Sequence, residues 1–200
     1  MSLKQKIYFL GTPVAEYNLP LSFINDLNNL IDERLKINTF ESMSKSLAGQ
    51  IEKEYSILNY LTYPMINVFR ECIQKYLLRL NIKFKNFEFS QCWFNEQKEH
   101  EYNPIHTHRS KLNTGISSVL FLKVPKGIYE AKEKNQNEQP TDGRLQFVTG
   151  NECFIDNTSM LIHPEIGNFY LFPYSLKHCV YPFKGDGIRR SLSFNVDVFI

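Results

Sequence analysis

The hydrophobic residues between Lys83 and the C-terminus recur with a period of two, and this pattern constrains the fold more than any other feature of the chain. Such alternation is typical of β-strands, whose successive side chains point to opposite faces of a sheet. In the first segment, KFKNFEFSQCWFN, it places Phe87, Phe89 and Trp93 on one face. Similar runs rich in aromatic and β-branched residues follow at 115–124, 143–148, 168–172 and 189–200. We therefore predict six or more strands in this part of the chain.

Short turns rather than helices separate these predicted strands. Pro125 and the glycine-containing segments 142–143 and 185–187 are typical turn signals. Because no helical segment alternates with the strands, the sheet should be mostly antiparallel. Aromatic residues make up 14% of the chain, which suits a β-rich interior because flat rings pack well on a pleated surface. The predicted fold class is mainly β with flanking helices (α+β), built on a double-stranded β-helix, that is, a jelly-roll or cupin-like core.

Two earlier segments show helical periodicity. Apolar residues recur at three- and four-residue steps between Leu21 and Leu35 and again between Pro64 and Leu80, which predicts two amphipathic helices after a short opening strand. Pro64 fits the start of the second helix, because the N–H that proline lacks would be unpaired there anyway.

We predict that the whole chain, 1–200, forms a single domain. The N-terminal strand and the flanking helices occupy 1–82, and the jelly-roll core occupies 83–200. The segment at about 130–141 is polar and lacks periodicity, so we interpret it as an insertion between strands.

Charge and cysteine content argue against several functional classes. The chain carries 23 basic and 21 acidic residues, a net charge of +2, so we expect no nucleic-acid partner. The four cysteines form no CxxC pair and are expected to be free thiols in a reducing compartment. No uncharged apolar run approaches the roughly 18 residues that span a bilayer. We therefore expect no membrane partner and a cytoplasmic location.

Three of the five histidines are spaced as ligands of one metal ion would be. His106 and His108 stand two residues apart, and in an extended strand such residues project from the same face. His178 lies on or just before another predicted strand. Neutral imidazole is the commonest protein ligand for first-row transition metals. The plainer interpretation is a polar strand edge with an unrelated third histidine, and we leave His100 and His163 out of the site.

The last predicted strand, RRSLSFNVDVFI, carries a polar face made by Arg189, Ser191, Ser193 and Asn195. This face lies either in water, as is usual for an alternating strand, or in the interior of a barrel. In the interior, Arg189 and Ser191 could together hold a carboxylate. Arginine suits that task because its planar guanidinium bonds both carboxylate oxygens at once and never loses its charge.

An HxH pair near the start of the strand-rich region, a distal histidine, an arginine after it and a closing R-x-S strand occur here in that order. In this combination the chain resembles the 2-oxoglutarate and Fe(II)-dependent dioxygenases. It is more closely similar to a prolyl-hydroxylase-like branch found in marine tailed phages and bacteria. The motifs that carry this similarity extend from about Ser46 to Val196: SLAGQIEKEY, CWFNEQ, NPIHTH, SSVLFLKVP, FPYSLKHCVYPF and RRSLSFN. If the chain is phage-encoded, the expected location is the host cytoplasm.

The resemblance implies a role for each candidate residue. His106 takes the place of the first ligand in the family's HxD motif, and His178 that of the distal histidine. Arg189, with Ser191, occupies the position that holds the far carboxylate of 2-oxoglutarate. His108 stands where the family has aspartate, so the carboxylate of the usual site with two histidines and one carboxylate is missing.

Three arrangements of the metal site follow from this departure. His108 completes a three-histidine site, or it sits nearby while water fills the third position, or a more distant acid such as Glu99 or Glu101 swings in. We favour the first arrangement, in which His106, His108 and His178 are the metal ligands and the catalytic centre.

The activity implied by the resemblance is hydroxylation of an unidentified substrate, with a peptidyl side chain such as proline as the candidate and with 2-oxoglutarate decarboxylated to succinate. It requires Fe(II), the co-substrate 2-oxoglutarate and dioxygen, and ascorbate is expected as a stimulant. Two alternatives remain open. One is a cupin-type three-histidine metalloprotein, in which Arg189 would have no role. The other is a non-catalytic, phage-associated binding module on the same fold, which would explain the missing acidic ligand.

Overall fold

The computed structural model describes residues 4–45, 47–129, 142–150 and 158–200. Within these ranges the chain forms strands and helices in a fixed order. They are β1 (Gln5–Leu10), β2 (Thr12–Asn18), α1 (Leu21–Lys36), β3 (Lys53–Ser56), a 3-10 turn (Leu58–Tyr60), α2 (Tyr63–Arg79), β4 (Asn86–Gln97), β5 (Asn103–His106), β6 (Gly115–Lys123), β7 (Leu145–Val148), β8 (Ser159–Ile162), β9 (Asn168–Pro173), β10 (Lys177–Val180) and β11 (Arg189–Phe199).

The strands form two sheets. The larger sheet has seven strands in the order β1-β2-β9-β6-β11-β4-β3, and the smaller has four in the order β5-β10-β7-β8. Every one of these neighbouring pairs is antiparallel. The predicted fold class, a mainly β jelly roll with flanking helices, is therefore confirmed.

The two predicted helices cover one face of the larger sheet. Each ends close to the expected position and is followed by an asparagine in the left-handed conformation, Asn38 (φ 50°) and Asn81 (φ 55°), which asparagine tolerates better than most residues. The apolar faces of the helices join the outward face of β11 in one hydrophobic core. That core includes Phe23, Ile24, Leu27 and Ile31 of α1, Phe69, Ile73 and Leu77 of α2, and Leu192, Phe194, Val196 and Val198 of β11.

Strand β4 departs from the prediction that Phe87, Phe89 and Trp93 share a face. Phe87 and Phe89 join the helix-covered core, whereas Trp93 lines cavities next to the candidate histidines. The cause is a β-bulge at Ser90, where two residues of β4 that are two positions apart pair with consecutive residues of β11. One extra residue reverses the alternation, so the prediction is wrong for Trp93.

The second core lies between the two sheets and includes Phe121, Tyr170 and Phe172 of the larger sheet with Leu145, Phe147 and Val180 of the smaller one. The polar face of β11 is buried on this side, since the four residues Arg189, Ser191, Ser193 and Asn195 are at most 6% exposed. We considered two positions for this polar face, in water or in the interior of the barrel, and the structure places it in the interior.

Other expectations concern parts of the chain with less bearing on the site. Cys72, Cys92 and Cys179 are free thiols as predicted. Cys153 and the proposed insertion at 130–141 lie outside the described residues. In the part of the chain that the structure describes, no helix is both long and apolar enough to cross a membrane.

Candidate active site

Three histidine side chains converge where β5 and β10 pair. His178 on β10 lies directly opposite His106, the last residue of β5. His108 lies two residues beyond the end of that strand rather than on it, and its backbone N–H donates to the carbonyl of Tyr174 (2.9 Å). The ligand nitrogens of the three rings all lie within 4.8 Å of one another. The structure therefore brings together the three histidines that the sequence singled out.

Hydrogen bonds orient the rings. Nδ1 of His106 donates to the backbone carbonyl two residues earlier (2.7 Å), and Nδ1 of His178 does the same (3.0 Å). Because a neutral imidazole carries one proton, Nε2 of both rings is unprotonated and has a lone pair that can bind a metal, the usual arrangement of metal-binding histidines. The Nε2 atoms of His108 and His178 are 3.1 Å apart, and Nδ1 of His108 lies 3.4 Å from the amide nitrogen of Asn195.

Burial keeps these imidazoles in their neutral form. It lowers the pKa of His106, and, together with the nearby His106 ring, it lowers the pKa of His108 to about 3. The pKa of His178 lies well below its ordinary value, first because of burial and then because of the other two rings. Since the neutral imidazole is the form that binds metals, all three are ready to bind at pH 7.

Arg189 is a buried cation with unused hydrogen-bond donors. Its side chain is 1% exposed, Nη1 donates to Oε1 of Gln97 (3.2 Å), and its guanidinium carbon lies 4.9 Å from the centre of the Phe121 ring. Nε and Nη2 are buried without a hydrogen-bond partner within the described ranges. Burial lowers the pKa of Arg189 to about 9, so the group is still charged at pH 7. A buried charge without a counter-ion is costly, and an anion between the sheets would compensate it.

Ser191, on the same face two residues along, lines a narrow inner cavity. The three histidines and Trp93 border the same cavity. Its volume is only ≈ 20 Å³, enough for about one water molecule. A five-carbon dicarboxylate would therefore have to displace side chains in order to reach both the histidines and Arg189.

A larger cavity of ≈ 250 Å³ also borders His106 and His108. Trp93 and Asn103 line both cavities, and the larger one is lined in addition by Glu54 and by the exposed Arg109. This outer cavity gives a second molecule a route to the same histidines.

The acids considered as replacement ligands lie elsewhere. Glu99 is exposed and accepts a hydrogen bond from the backbone N–H of Gly185 (2.9 Å). Glu101 accepts from the backbone N–H groups of Glu52 (2.9 Å) and Lys98 (2.7 Å). Neither belongs to the histidine cluster within the described residues.

The histidines that were left out of the site also lie away from this cluster. His100 is exposed and lies beside Glu99, with Nε2 3.5 Å from its carboxylate. His163 packs against the ring of Tyr129 (5.5 Å between ring centres).

Sequence reasoning did not single out Glu54. It lies on β3, an edge strand of only four residues, and so short a segment shows too little alternation to tell which side chains point inward. Its neighbour Gly49 belongs to the SLAGQIEKEY motif, and a Cβ atom at Gly49 would lie 2.7 Å from Oε1 of Glu54. The proximity of Gly49 and Glu54 would have indicated that Glu54 is buried, but the sequence alone does not show this proximity.

The donor set fits Fe(II) and 2-oxoglutarate. Three neutral imidazoles suit a first-row divalent metal and leave coordination positions free. The unpaired Nε and Nη2 of Arg189 form the planar pair of donors that binds a carboxylate.

Comparison with known proteins agrees with this fit. The sequence profile of the 2OG-Fe(II) oxygenase family matches residues 91–195, just over half of the chain. A search of curated proteins finds no match.

Several solved structures share the fold. A prolyl-4-hydroxylase from Pseudomonas putida is 15% identical, with a TM-score of 0.58 over 93% of this chain and 91% of that one. The viral collagen prolyl hydroxylase of Paramecium bursaria Chlorella virus-1, in its 2-oxoglutarate complex, is 12% identical, with a TM-score of 0.55 over 92% and 96%. A prolyl hydroxylase from Trichoplax adhaerens, in complex with a peptide fragment of hypoxia inducible factor, is 14% identical, with a TM-score of 0.58 over 93% and 83%.

The matched region contains the HxH pair, the distal histidine and the closing R-x-S strand. The family match and the two-sheet fold thus support the interpretation of the histidine cluster and the buried arginine as a dioxygenase site. The cupin alternative assigns no role to that arginine. The chain belongs to the 2OG-Fe(II) oxygenase family and is a non-haem iron dioxygenase that uses Fe(II) and 2-oxoglutarate.

Proposed function

We propose that this dioxygenase holds Fe(II) through His106, His108 and His178, binds the far carboxylate of 2-oxoglutarate through Arg189 and Ser191, and hydroxylates a side chain of a peptide. The observation that carries the proposal is the buried guanidinium of Arg189, which has two unpaired donors. It lies on the same strand face as Ser191, which borders the cavity of the histidines.

Each of these residues has a defined part in the reaction. The imidazoles offer neutral nitrogens whose orientation is set by backbone carbonyls, and the guanidinium fixes one end of the co-substrate. Trp93, 4% exposed, covers His108 with ring centres 5.8 Å apart and limits the access of water. Iron and 2-oxoglutarate, when bound, would supply the oxidative chemistry: dioxygen would give one oxygen atom to succinate, formed as 2-oxoglutarate loses carbon dioxide, and the other to the hydroxylated product.

A peptide is the substrate class that we propose. The outer cavity borders His106 and His108 and, at ≈ 250 Å³, can take a side chain without opening the core. The Trichoplax neighbour was crystallised with a peptide fragment, and the viral neighbour is a collagen prolyl hydroxylase. Proline is accordingly one candidate for the hydroxylated residue.

Titration of the Mn(II)-loaded protein with 2-oxoglutarate under argon tests the co-substrate site. The wild type should bind, and Arg189→Ala should weaken binding by about 2 to 5 kcal/mol, as the loss of one partner of a buried charge pair does. Arg109→Ala is the matched control, because it removes the exposed arginine next to the histidines and should leave the affinity unchanged. Absence of binding, or dependence on Arg109 instead of Arg189, would overturn the proposal.

Turnover tests the catalytic part of the proposal. The protein with Fe(II), ascorbate and 2-oxoglutarate should form succinate, faster with the right peptide, and Arg189→Ala should abolish this activity. No succinate across a panel of peptides, from a protein that still binds 2-oxoglutarate, would favour the non-catalytic binding module.

A further inference from the structure

Glu54 is a buried carboxylate without a partner beside the active site. Its side chain is fully buried, it lines the outer cavity with His106 and His108, and neither carboxylate oxygen accepts a hydrogen bond from any residue that the structure describes. Native proteins pair almost all buried polar groups, and an unpaired carboxylate is among the most expensive groups to leave alone. An unpaired carboxylate in a cavity wall lowers the stability of the protein, and a ligand that donates hydrogen bonds to it would offset this loss.

The unpaired groups around Glu54 are hydrogen-bond acceptors as well. Asn95 lies directly opposite Glu54 in the β3–β4 pair, and its Oδ1 is buried and unpaired. Oδ1 of Asn103, in the wall of both cavities, is also unpaired. A carboxylate and two amide oxygens therefore border the two cavities next to the histidines, and no described residue donates a hydrogen bond to them.

Among the residues that the structure describes, the nearby cations do not supply those donors. Lys53 lies 3.6 Å from the carboxylate of Glu96, and Lys98 lies 2.6 Å from that of Glu52. Arg109 borders the outer cavity, but it is exposed and makes no hydrogen bond to Glu54. A molecule that enters the cavity can supply the donors that these described residues do not.

We infer that the substrate presents a cationic nitrogen, an ammonium or a guanidinium, to Glu54 in the outer cavity, with the side-chain oxygen of Asn103 accepting a further hydrogen bond. This inference rests on the proposed function and deepens it, because it names the chemical class of the group that the enzyme recognises. A cation matches the site better than a neutral donor, since charge-assisted hydrogen bonds to a buried carboxylate are about twice as strong as neutral ones.

The surroundings of Glu54 agree with a prepared binding group. Gly49 approaches Oε1 so closely that a Cβ there would be only 2.7 Å away, so a larger residue at this position would crowd the carboxylate. Burial, followed by the negative charge of Glu101, raises the pKa of Glu54 to about 7. Both causes disfavour the charged carboxylate, and a cation bound beside it would favour that form.

Pairs of cations and their neutral isosteres test the inference. The Mn(II) and 2-oxoglutarate-loaded protein is titrated calorimetrically under argon with n-butylguanidinium against n-butylurea, and with n-pentylammonium against 1-pentanol. A third pair, acetyl-Gly-Arg-Gly-amide against its citrulline analogue, distinguishes a peptide side chain from a free amine. At least one cation should bind about 10- to 100-fold more tightly than its neutral partner, the range expected for a hydrogen bond to a buried charge.

Three variants assign the discrimination to residues. Glu54→Gln should reduce the preference for the cation to less than about twofold. Asn103→Ala should reduce it by a smaller factor and provides a second variant if the first fails to fold. Glu99→Gln, which removes an exposed carboxylate outside the cavity, should leave it intact. Equal binding of cation and isostere by the wild type, or full discrimination in both Glu54→Gln and Asn103→Ala, would overturn the inference.

Failure of this inference is distinguishable from failure of the proposed function. The same samples are titrated with 2-oxoglutarate, and Glu54→Gln should bind it as the wild type does because Arg189 is untouched. If 2-oxoglutarate binds but the cations do not, the substrate class is wrong and the dioxygenase site stands.

Discussion

His108 is the residue at which this site departs from its wider family, and its surroundings make it a specific target. Its ring centre lies 5.0 Å from that of His106 and 4.9 Å from that of His178. If His108 is the third ligand, as we propose, His108→Ala should weaken Mn(II) binding by at least tenfold, since even residues that only orient metal ligands contribute roughly 10- to 100-fold. An electron paramagnetic resonance titration of free Mn(II) measures the change.

Two acid variants serve as controls for the metal site. Glu99→Gln and Glu101→Gln should bind Mn(II) like the wild type, because both carboxylates are bonded to backbone N–H groups elsewhere. Unchanged affinity in His108→Ala would show that water fills the third position, and a loss in either acid variant would identify the acid as a ligand instead.

Glu54 should make the stability of the substrate-free protein depend on pH. Burial and the neighbouring charge of Glu101 raise its pKa from 4.5 to about 7 in the folded state. Between these values the folded protein holds more protons than the unfolded chain, so this contribution to stability is lost as the pH rises through about 7. Glu54→Gln should therefore be more stable than the wild type at pH 8, by up to about 3 kcal/mol, and equal to it near pH 4.5.

Urea unfolding of both proteins at pH 4.5, 6 and 8 measures this difference. Taking the difference between variant and wild type cancels the titration of the other groups. A gap that is the same at all three pH values, or that shrinks as the pH rises, would contradict the raised pKa.

At the scale of single residues, prediction succeeded where the signal is local. The HxH spacing and the alternation around Arg189 are visible within a few positions, and the structure brings the three histidines together. The burial of Glu54 depends on the pairing of β3 with β4 and on the loop at Gly49. Neither contact leaves a periodic signal in the sequence, so this residue could not be found there.

One face of strand β11 carries residues of the candidate site, and the other face packs against the helices. On the helix side, the Arg190 guanidinium donates to the carboxylate of Glu96 and reaches Asn28 (3.0 Å) and Asp32 (2.6 Å), which are one turn apart on α1. Arg190 is 2% exposed and Glu96 3% exposed. This buried ion pair therefore connects α1 to two inner strands of the larger sheet, β11 and β4.

Breaking that ion pair from one side should destabilise the fold. Glu96→Leu leaves Arg190 with only the half-exposed Asp32 as a counter-ion and should cost about 3 kcal/mol, the low end of the range for a broken buried pair. The double variant Glu96→Leu/Arg190→Met should recover most of this loss, because well-packed apolar residues often replace a buried ion pair without penalty. Urea unfolding of the single and double variants measures both effects.

The exposed pair Glu71–Lys75 on α2 provides the comparison. Glu71→Gln should change the free energy of unfolding by less than about 0.5 kcal/mol, as is usual for an exposed pair at i,i+4. A loss in Glu96→Leu no larger than this would mean that Arg190 does not anchor the helix.

The elements themselves were predictable to the extent that periodicity determines them. Helices α1 and α2 match the expected segments within one residue at each end, because each presents one apolar stripe to the sheet. The reversal of β4 at Ser90 was not predictable. A bulge is fixed by the register with the neighbouring strand, and the local sequence looks alternating on both sides of it.

In the whole molecule, the candidate ligands and the candidate carboxylate site belong to different sheets. His106 and His178 lie on strands of the smaller sheet, whereas Arg189 and Ser191 lie on β11, an inner strand of the larger one. A metal ion alone would therefore link the histidine side chains on and next to β5 and β10. Bound 2-oxoglutarate would in addition connect this metal site to β11. We expect the two additions to stabilise the protein in separate steps.

Thermal unfolding should show both steps. A ligand present at 100 times its dissociation constant stabilises the folded state by about 2.7 kcal/mol, which in a chain of this size raises the melting temperature by roughly 5 to 10 °C. Mn(II) should give a first increase that EDTA reverses, and 2-oxoglutarate should give a second increase only when the metal is present. Arg189→Met should keep the first and lose the second, because the metal ligands are intact while the carboxylate has lost its partner. A variant that keeps both increases would place the co-substrate carboxylate away from β11, and one that loses both would show that Arg189 supports the metal site rather than the co-substrate.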